Sequence, residues 1–429
     1  MPSFEKNKFN YFLILIIFFG YFFGFYVREI SNGAGHIDLE LHIWIVILDF
    51  KQNYLDTLKN YQSYDEATFP FFHSFQSFFN LTSNNYLYCL NNTIFNLFII
   101  IIFYQFLKLK KIKFDNEFSI YLIPLILLIS PWFRSSSYWG MTENFAFFFL
   151  IPSLFLLNFL LKKKITFNEN LLLVVLISLT LYARQQYLFL AVFHILILLI
   201  NNDKRNLIFS IILYFFLSLP GFYTLYLWGV FNDLSQSTSA SGNLDIKNIF
   251  LNIPKISSLL FFYSLPLIFI NFSKFSKIFL SKKYFSILIS IFLLKLILFN
   301  DLNYPDKGGG YIVKFTQLFL FNDTIILLFI SSIIFTLIIS TISRSNYQYF
   351  LIVPLIYLNF GFTEFLYQEW FDPLYLIFFY IFFSKEQMLD LKLNKNYTIK
   401  ILLLWEIFIL VIAFAYYHGI KKLPLFYYF

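Results

Sequence analysis

Thr93-Ile94-Phe95-Asn96-Leu97-Phe98-Ile99-Ile100-Ile101-Ile102-Phe103-Tyr104-Gln105-Phe106-Leu107-Lys108 is apolar almost throughout and runs straight into Leu109-Lys110-Lys111-Ile112-Lys113. Such a run, closed by lysines, is the pattern of a helix that crosses lipid and stops at a basic aqueous edge. Runs of roughly 16 to 22 residues, enough for a ~30 Å hydrocarbon core, recur along the chain. They fall near 9–27, 93–108, 118–133, 143–161, 170–183, 187–201, 207–228, 256–272, 284–299, 319–341, 348–365, 373–384 and 400–418, of which 373–384 is the shortest. Lipid offers a backbone no hydrogen bonds, so spans of this composition are helical. The expected fold is an all-α polytopic transmembrane helix bundle of about 12–13 spans, a single multi-span membrane domain over residues 1–429.

Composition agrees. Hydrophobic residues fill 59% of 429 positions and charged residues 13%, against about a quarter charged in a soluble domain. Phe alone counts 64. With many Ile, Leu, Asn and Lys, this is the mix of an AT-rich genome, so single aromatics carry little information. The net charge of +8 collects in clusters between spans, which reads as membrane topology and not as nucleic-acid binding. One cysteine, Cys89, excludes an internal disulfide and a cysteine metal cluster. Lys6 and Lys8 resemble the start of a signal peptide, but Gly24-Phe25-Tyr26-Val27-Arg28 offers no small-x-small cleavage site. The first run is therefore read as an uncleaved span.

Charge sorts the connections into two sets. Lys6/Lys8, Lys108 to Lys113, Lys162-Lys163-Lys164, Lys204-Arg205, Lys274 to Lys283, Arg344 and Lys385 to Lys400 occupy alternate connections and are assigned to the cytoplasm. The opposite set comprises a long loop over 28–92 and shorter ones near 134–144, 182–186, 229–250, 301–310 and 367–373. These carry mixed acids, bases, amides and aromatics, the composition of a site assembled from loops at the external interface. In loop 28–92, Ile37, Leu41, Trp44, Ile45, Leu48 and Leu55 recur at helical spacing and predict an amphipathic helix lying on the membrane surface. There is no internal or inverted repeat.

That loop opens with His36-Ile37-Asp38-Leu39-Glu40-Leu41-His42. On a helix, Asp38 and His42 stand four residues apart on one face, so a carboxylate oriented by an imidazole is available as a general base. Glu40 lies about 200° round the helix and reads as a solvated flank. His36, Asp38 and His42 lack a clear third-ligand pattern and make a poor metal site. On spacing alone, a surface helix with its polar face in water explains the segment better. Further on, Tyr64-Asp65-Glu66-Ala67-Thr68-Phe69-Pro70-Phe71-Phe72-His73 prepares a helix that Pro70 begins and Thr68 caps. Asp65 and Glu66 precede its positive end. Capping accounts for Thr68 but not for both acids and His73.

Arg134 and Arg184 each sit at an external span end, where a guanidinium either snorkels to the interface or grips phosphate with two hydrogen bonds. Arg184 is the better phosphate partner. Gln185 and Gln186 carry polar character into the next span, where it is costly unless it lines a cavity. Lys307 beside Gly308-Gly309-Gly310 adds a cation and backbone amides for an anion, without a Walker motif. This set of groups suits an anionic, lipid-anchored substrate and equally a transporter vestibule.

Several of these motifs, in order, resemble the GT-C superfamily of polyprenyl-phosphate-sugar glycosyltransferases, most of all the dolichyl-phosphate-glucose α-1,2-glucosyltransferase family. Asp38-Leu39-Glu40-Leu41-His42-Ile43 is similar to that family's Asp-Glu-x-Phe-His-Ile stretch, with Leu39 in place of its second acid. Tyr64-Asp65-Glu66-Ala67-Thr68-Phe69-Pro70 resembles its Trp-Asp-Pro-x-Ile-Thr-Thr-x-Pro-like stretch. Arg184-Gln185-Gln186, Asp306-Lys307-Gly308 through Thr316-Gln317-Leu318, and Gln348-Tyr349-Phe350-Leu351-Ile352-Val353-Pro354 look like its later elements, though no histidine follows the glycine loop.

The resemblance implies a GT-C-like bundle and an inverting hexosyl transfer from a polyprenyl-phosphate sugar to a lipid-linked or glycan acceptor. Asp38, with Asp65 next in line, would be the catalytic carboxylate. His42, Glu66, Arg134, Arg184, Gln185 and Lys307 would hold the substrate. The phosphate would sit near Arg184, with Arg134 or Lys307 assisting. No nucleotide or other cofactor is implied, and a divalent metal stays open as an alternative that the residues do not indicate. Membrane lipids are the expected surroundings and nucleic acid is not an expected partner. The active face would be periplasmic in a bacterial inner membrane, or lumenal in an ER membrane. A transporter or flippase of lipid-linked sugars is the competing expectation. It predicts broken helices and ionisable groups near mid-membrane, where Lys295 and Glu406 stand. An O-antigen polymerase or ligase would favour one long late external loop, whereas the long loop here comes after the first span.

Overall fold

The computed structural model describes residues 2–31, 35–64, 68–79, 84–227, 246–298, 329–330, 332–333, 347–361 and 368–418. Among the described residues every regular element is a helix and no strand forms. Asn85–Leu109, Thr142–Leu160, Lys204–Leu227, Asn252–Ile270 and Asn396–Tyr417 are long and apolar enough to cross a membrane. Ser119–Leu128 and Pro131–Tyr138, bent by 61° at Ile129–Ser130, make a sixth if the pair is one span. Asn10–Tyr26, Phe167–Ala183, Gln185–Ile200 and Ile352–Gly361 are shorter apolar helices. The chain is thus an all-helical, polytopic membrane protein. Of the expected spans, 319–341 lies almost wholly outside the described residues, as do Asp65, Glu66 and Lys307.

Contacts divide the chain into two compact units where the sequence suggested one domain. The first comprises Met1–Asn158, Tyr182–Arg184 and Asp372–Phe429. Its opening helix, Pro2–Tyr26, ends where Arg28 takes a left-handed φ of 52°. The turn buries Glu29, and Arg134 neutralises it. Nε of Arg134 donates to Glu29 Oε1 at 3.0 Å, and Nη2 donates to Oε2. Its other donors reach the Gly20 and Leu128 carbonyls at 3.0 and 3.2 Å. Losing one member of a buried pair typically costs about 3–5 kcal/mol, because the survivor stays desolvated. Gly24 permits the approach, since a Cβ there would collide with Arg134, Glu29 and Tyr138.

The first helix is thereby tied to Pro131–Tyr138, which starts as its sequence requires. Ser130 Oγ accepts from the Phe133 amide, and Pro131 occupies the first turn, where a missing amide is harmless.

Residues 35–64 form a broken helical ribbon. Gly35–Asp38 passes into a π-turn at Leu39–Ile43, then into Trp44–Gln52. Asn53 breaks the run and caps Tyr54–Lys59 by accepting from the Asp56 amide. Most of the predicted stripe stays off the protein core. The ridge packed on protein is Leu39, Ile43, Val46, Ile47 and Phe50, whereas Ile37, Leu41, Ile45 and Leu55 stay 43–65% exposed. The ribbon is apolar on both sides, one ridge for protein and one for an apolar medium, as an interfacial helix requires.

At the other end of this unit, Lys110 closes a helix. Its Nζ donates to the Tyr380, Ile381 and Phe383 carbonyls at 2.8, 2.9 and 2.5 Å. These are the orphan acceptors where the helical segment Leu374–Phe382 stops, and a cation there also opposes the helix dipole. The Lys110 of a supposedly solubilising cluster is therefore structural.

The second unit comprises Phe159–Leu181 and Gln185–Phe371. Several polar side chains inside it find partners within the unit. His194 bonds the Tyr214 hydroxyl at 3.0 Å and Asn170 at 3.1 Å, and Asn170 donates to Ser210 at 2.9 Å. Asn252 donates to the Gly361 carbonyl at 3.0 Å and accepts from Lys255 at 3.1 Å. Such bonds fix helix register where water is absent.

Candidate functional site

The site is built where the 35–64 ribbon meets the start of the Thr142–Leu160 helix, inside the first unit. Gly35 sets the approach. A Cβ there would lie 2.7 Å from the Trp139 ring and 3.2 Å from Met141 Sδ, so only glycine lets the ribbon's first turn press on this corner. His36 lies tilted against Trp139, ring centres 5.9 Å apart, and the Trp139 indole donates to the Glu29 carbonyl at 3.2 Å. The ribbon is thus pinned three residues before Asp38.

Asp38 is half-buried. Burial raises its pKa first, and the neighbouring Glu143 raises it further, against the opposing pull of His42 and His36. Glu143 in turn binds Arg184 at 2.6 Å, and Arg184 Nη1 donates to Thr142 Oγ1 at 3.0 Å. Two groups singled out in the sequence, 146 positions apart by number, are therefore linked through one carboxylate. Arg184 Nε and Glu143 Oε2 are buried and have no hydrogen-bond partner among the described residues. A guanidinium held at both Nη atoms, with Nε unpartnered, keeps one donor to spare for an oxyanion brought against it.

His42 and His73 complete the polar wall. His42 Nδ1 lies 3.1 Å from the Tyr64 carbonyl. A carbonyl only accepts, so Nδ1 carries the proton and neutral His42 keeps its lone pair on Nε2. His73 is fully buried, with Nδ1 2.8 Å from the Tyr61 hydroxyl. Burial, aided by nearby His42, pushes its pKa down to about 3. Tyr64 donates to Asp49, and burial together with that carboxylate pushes its pKa up to about 12.

The other predicted residues divide. Arg134 does not join this group, because its guanidinium is committed to Glu29 and two carbonyls. Its partner Glu29 lies 105 residues away and was invisible to a reading of local spacing. Gln185 is part-buried at the start of a short 3-10 turn in the second unit. Thr68 does not cap the next helix. That helix runs Phe71–Phe79, and the Thr68 hydroxyl is buried with no partner among the described residues. Asp65, Glu66 and Lys307 lie outside the described residues. Glu143 and Thr142 were passed over because their value depends on Arg184, and the acid in a helix's first turn was the available signal.

Among the described residues, no group of three or more His, Cys, Asp or Glu side chains gathers as metal ligands. Comparison of the chain with protein-family models, with curated proteins and with solved structures finds no match.

Proposed function

We propose that this chain is an inverting glycosyltransferase, moving a sugar from a polyprenyl-phosphate donor to a lipid-linked or glycan acceptor at the external or lumenal membrane face. The observation that carries the reading is the linked set Asp38, Glu143 and Arg184, drawn from three distant stretches of the chain. It supplies the two things the transfer needs.

The first is a base. Burial and Glu143 hold Asp38 above the ordinary carboxylate range, which brings its proton affinity closer to neutral and improves it as a proton acceptor. Asp38 takes the acceptor hydroxyl's proton as that oxygen bonds to the anomeric carbon. The bond from that carbon to the phosphate oxygen breaks, and the polyprenyl phosphate leaves with the electron pair. The second is charge stabilisation. Arg184, whose Nε is buried and has no partner among the described residues, is the guanidinium that would stabilise the negative charge growing on the departing phosphate. The exposed ridge of Ile37, Leu41 and Ile45 beside Asp38 keeps the base at the depth of a lipid-tethered phosphate.

The test is transfer from radiolabelled polyprenyl-phosphate sugars by the full-length protein in vesicles. Asp38→Asn should lower turnover by about 10²–10⁴-fold with expression unchanged. Parent-like turnover in that variant would remove Asp38 from the chemistry.

A second reading has its own support. Asp372 and Glu406 are both buried in the first unit and close enough to interact, with the Tyr375 hydroxyl donating to Glu406. Glu406 lies within the Asn396–Tyr417 span, and a buried acid on a spanning segment marks ion or proton paths in transporters. A flippase of lipid-linked sugars would move the intact donor across vesicles without cleaving it, and would depend on Glu406 more than on Asp38.

A further inference from the structure

We propose that Asp372 and Glu406 form a buried site for one small cation, a proton or an alkali ion, held between the two carboxylates at mid-membrane depth. The inference rests on neither functional reading, since occupancy is read without turnover. Two elements of the first unit carry the acids. Glu406 lies on the Asn396–His418 helix, and the helical segment Leu374–Phe382 follows directly on Asp372-Pro373. Both elements meet one basic edge. Lys110 holds the carbonyl end of the shorter one. Just before the longer one, Asn394 donates to the Lys113 carbonyl at 3.2 Å and Lys395 to Asp115 at 3.1 Å. At a rise of about 1.5 Å per residue, each acid stands about 15 Å from that edge, half-way through a ~30 Å hydrocarbon core. Tyr375, on the turn after Asp372, confirms the shared depth by donating to Glu406 Oε1.

Carboxylates are costly at that depth unless paired. Asp372 is 1% and Glu406 0% exposed, and their charges act on one another. Ser130 is the polar neighbour of Asp372. Glu406 Oε2 and both carboxylate oxygens of Asp372 have no hydrogen-bond partner among the described residues. Asp372 precedes a helix start without capping it, so capping does not account for it. A basic side chain does not account for it either. Arg134, on the Pro131–Tyr138 helix that packs against Asn396–His418, is committed to Glu29, and Lys400 is exposed. Two like charges this deep disfavour each other's ionised form. One cation taken between them removes the repulsion and uses the free oxygens, which suit a hard ion. No third acid, cysteine or histidine joins them among the described residues, which leaves the pair short of a divalent ion's ligand set. A helix that stops half-way through the membrane is where transporters hold coupling ions.

Dicyclohexylcarbodiimide, an apolar reagent that couples only to a protonated carboxyl, tests this on the full-length protein in vesicles, with peptide mass spectrometry to locate the adduct. Labelling at Asp372 or Glu406 should be about tenfold higher at pH 6 than at pH 9. Sodium chloride that lowers it where choline chloride does not names an alkali ion, and equal labelling in the two salts names a proton. Labelling that ignores both pH and salt, or an adduct on neither acid, overturns the proposal. Thermal melts give a second reading without the reagent. The parent should melt higher at pH 7 than at pH 9, or higher in sodium than in choline, because the folded state alone holds the cation. Asp372→Asn/Glu406→Gln should lose that difference. Should the double variant not fold, Glu406→Gln alone decides, and a difference as large as the parent's rejects the site.

Discussion

His73 shows how one side chain ties the site to the stability of the protein. In the fold it stays neutral down to about pH 3, whereas in the unfolded chain it takes up a proton near pH 6.5. Acid therefore favours the unfolded state, and stability present above pH 6.5 is lost as pH falls from there towards 3. Between pH 7 and pH 5 that loss is about 2 kcal/mol. Asp38 acts in the opposite sense. Its raised pKa means the fold favours the protonated acid, so its contribution weakens as pH rises above the ordinary carboxylate range. The two are separated by comparing the parent with His73→Gln in thermal melts at pH 7 and pH 5. The variant should begin less stable, having lost the bond to Tyr61, and should change less between the two pH values. Equal pH sensitivity in both proteins would remove His73 as its source.

Residue by residue, the sequence revealed half of this site. Asp38, His42 and Arg184 could be picked out because each is a chemically capable group at an apolar boundary. Glu143 could not be ranked, since its importance comes from a partner 41 residues on by number. Arg134 was read as a substrate ligand because its real partner, Glu29, is far away in sequence and lies just past the first span.

At the level of elements, Asn84, Ser130 and Ser384 cap helices, as short polar side chains do, whereas Thr68, the cap read from the sequence, does not. The ribbon's protein-facing ridge went unread, because a segment apolar on two sides has no single stripe to find, and the π-turn at Leu39–Ile43 shifts the phase of the Trp44–Gln52 helix. The Lys110 cap was hidden because its three acceptors come some 270 residues later. It makes a direct prediction. Lys110→Met should lower stability by about 1–3 kcal/mol by leaving buried carbonyls without a donor. Lys108→Met, altering an exposed neighbour, should change little. Melting of both variants in one detergent decides the matter, and equal behaviour would reduce Lys110 to a solubilising charge.

For the whole molecule, the membrane class was readable from composition and run length, which need no tertiary knowledge. The division into two compact units was not, because it depends on which helices meet. Charge alternation predicts that the Asp38 face and the Lys162–Lys164 connection lie on opposite sides. The one cysteine is buried, so a Cys89→Ser background permits single reporters at exposed positions. Glu40→Cys should react with a membrane-impermeant maleimide in intact cells, and Lys163→Cys only after permeabilisation. Labelling of both from one side would reverse the assignment and with it the proposed face of catalysis.

The two-sided ribbon carries one more consequence. Its outer ridge, Ile37, Leu41 and Ile45, is exposed, and Asp38 rides on the same turns. If that ridge rests in acyl chains, the hydration of the acid, and hence its basicity, follows bilayer thickness and fluidity. Micelles and bilayers would then be two different surroundings for that carboxylate, and a cell that remodels its lipids would retune it without touching the chain.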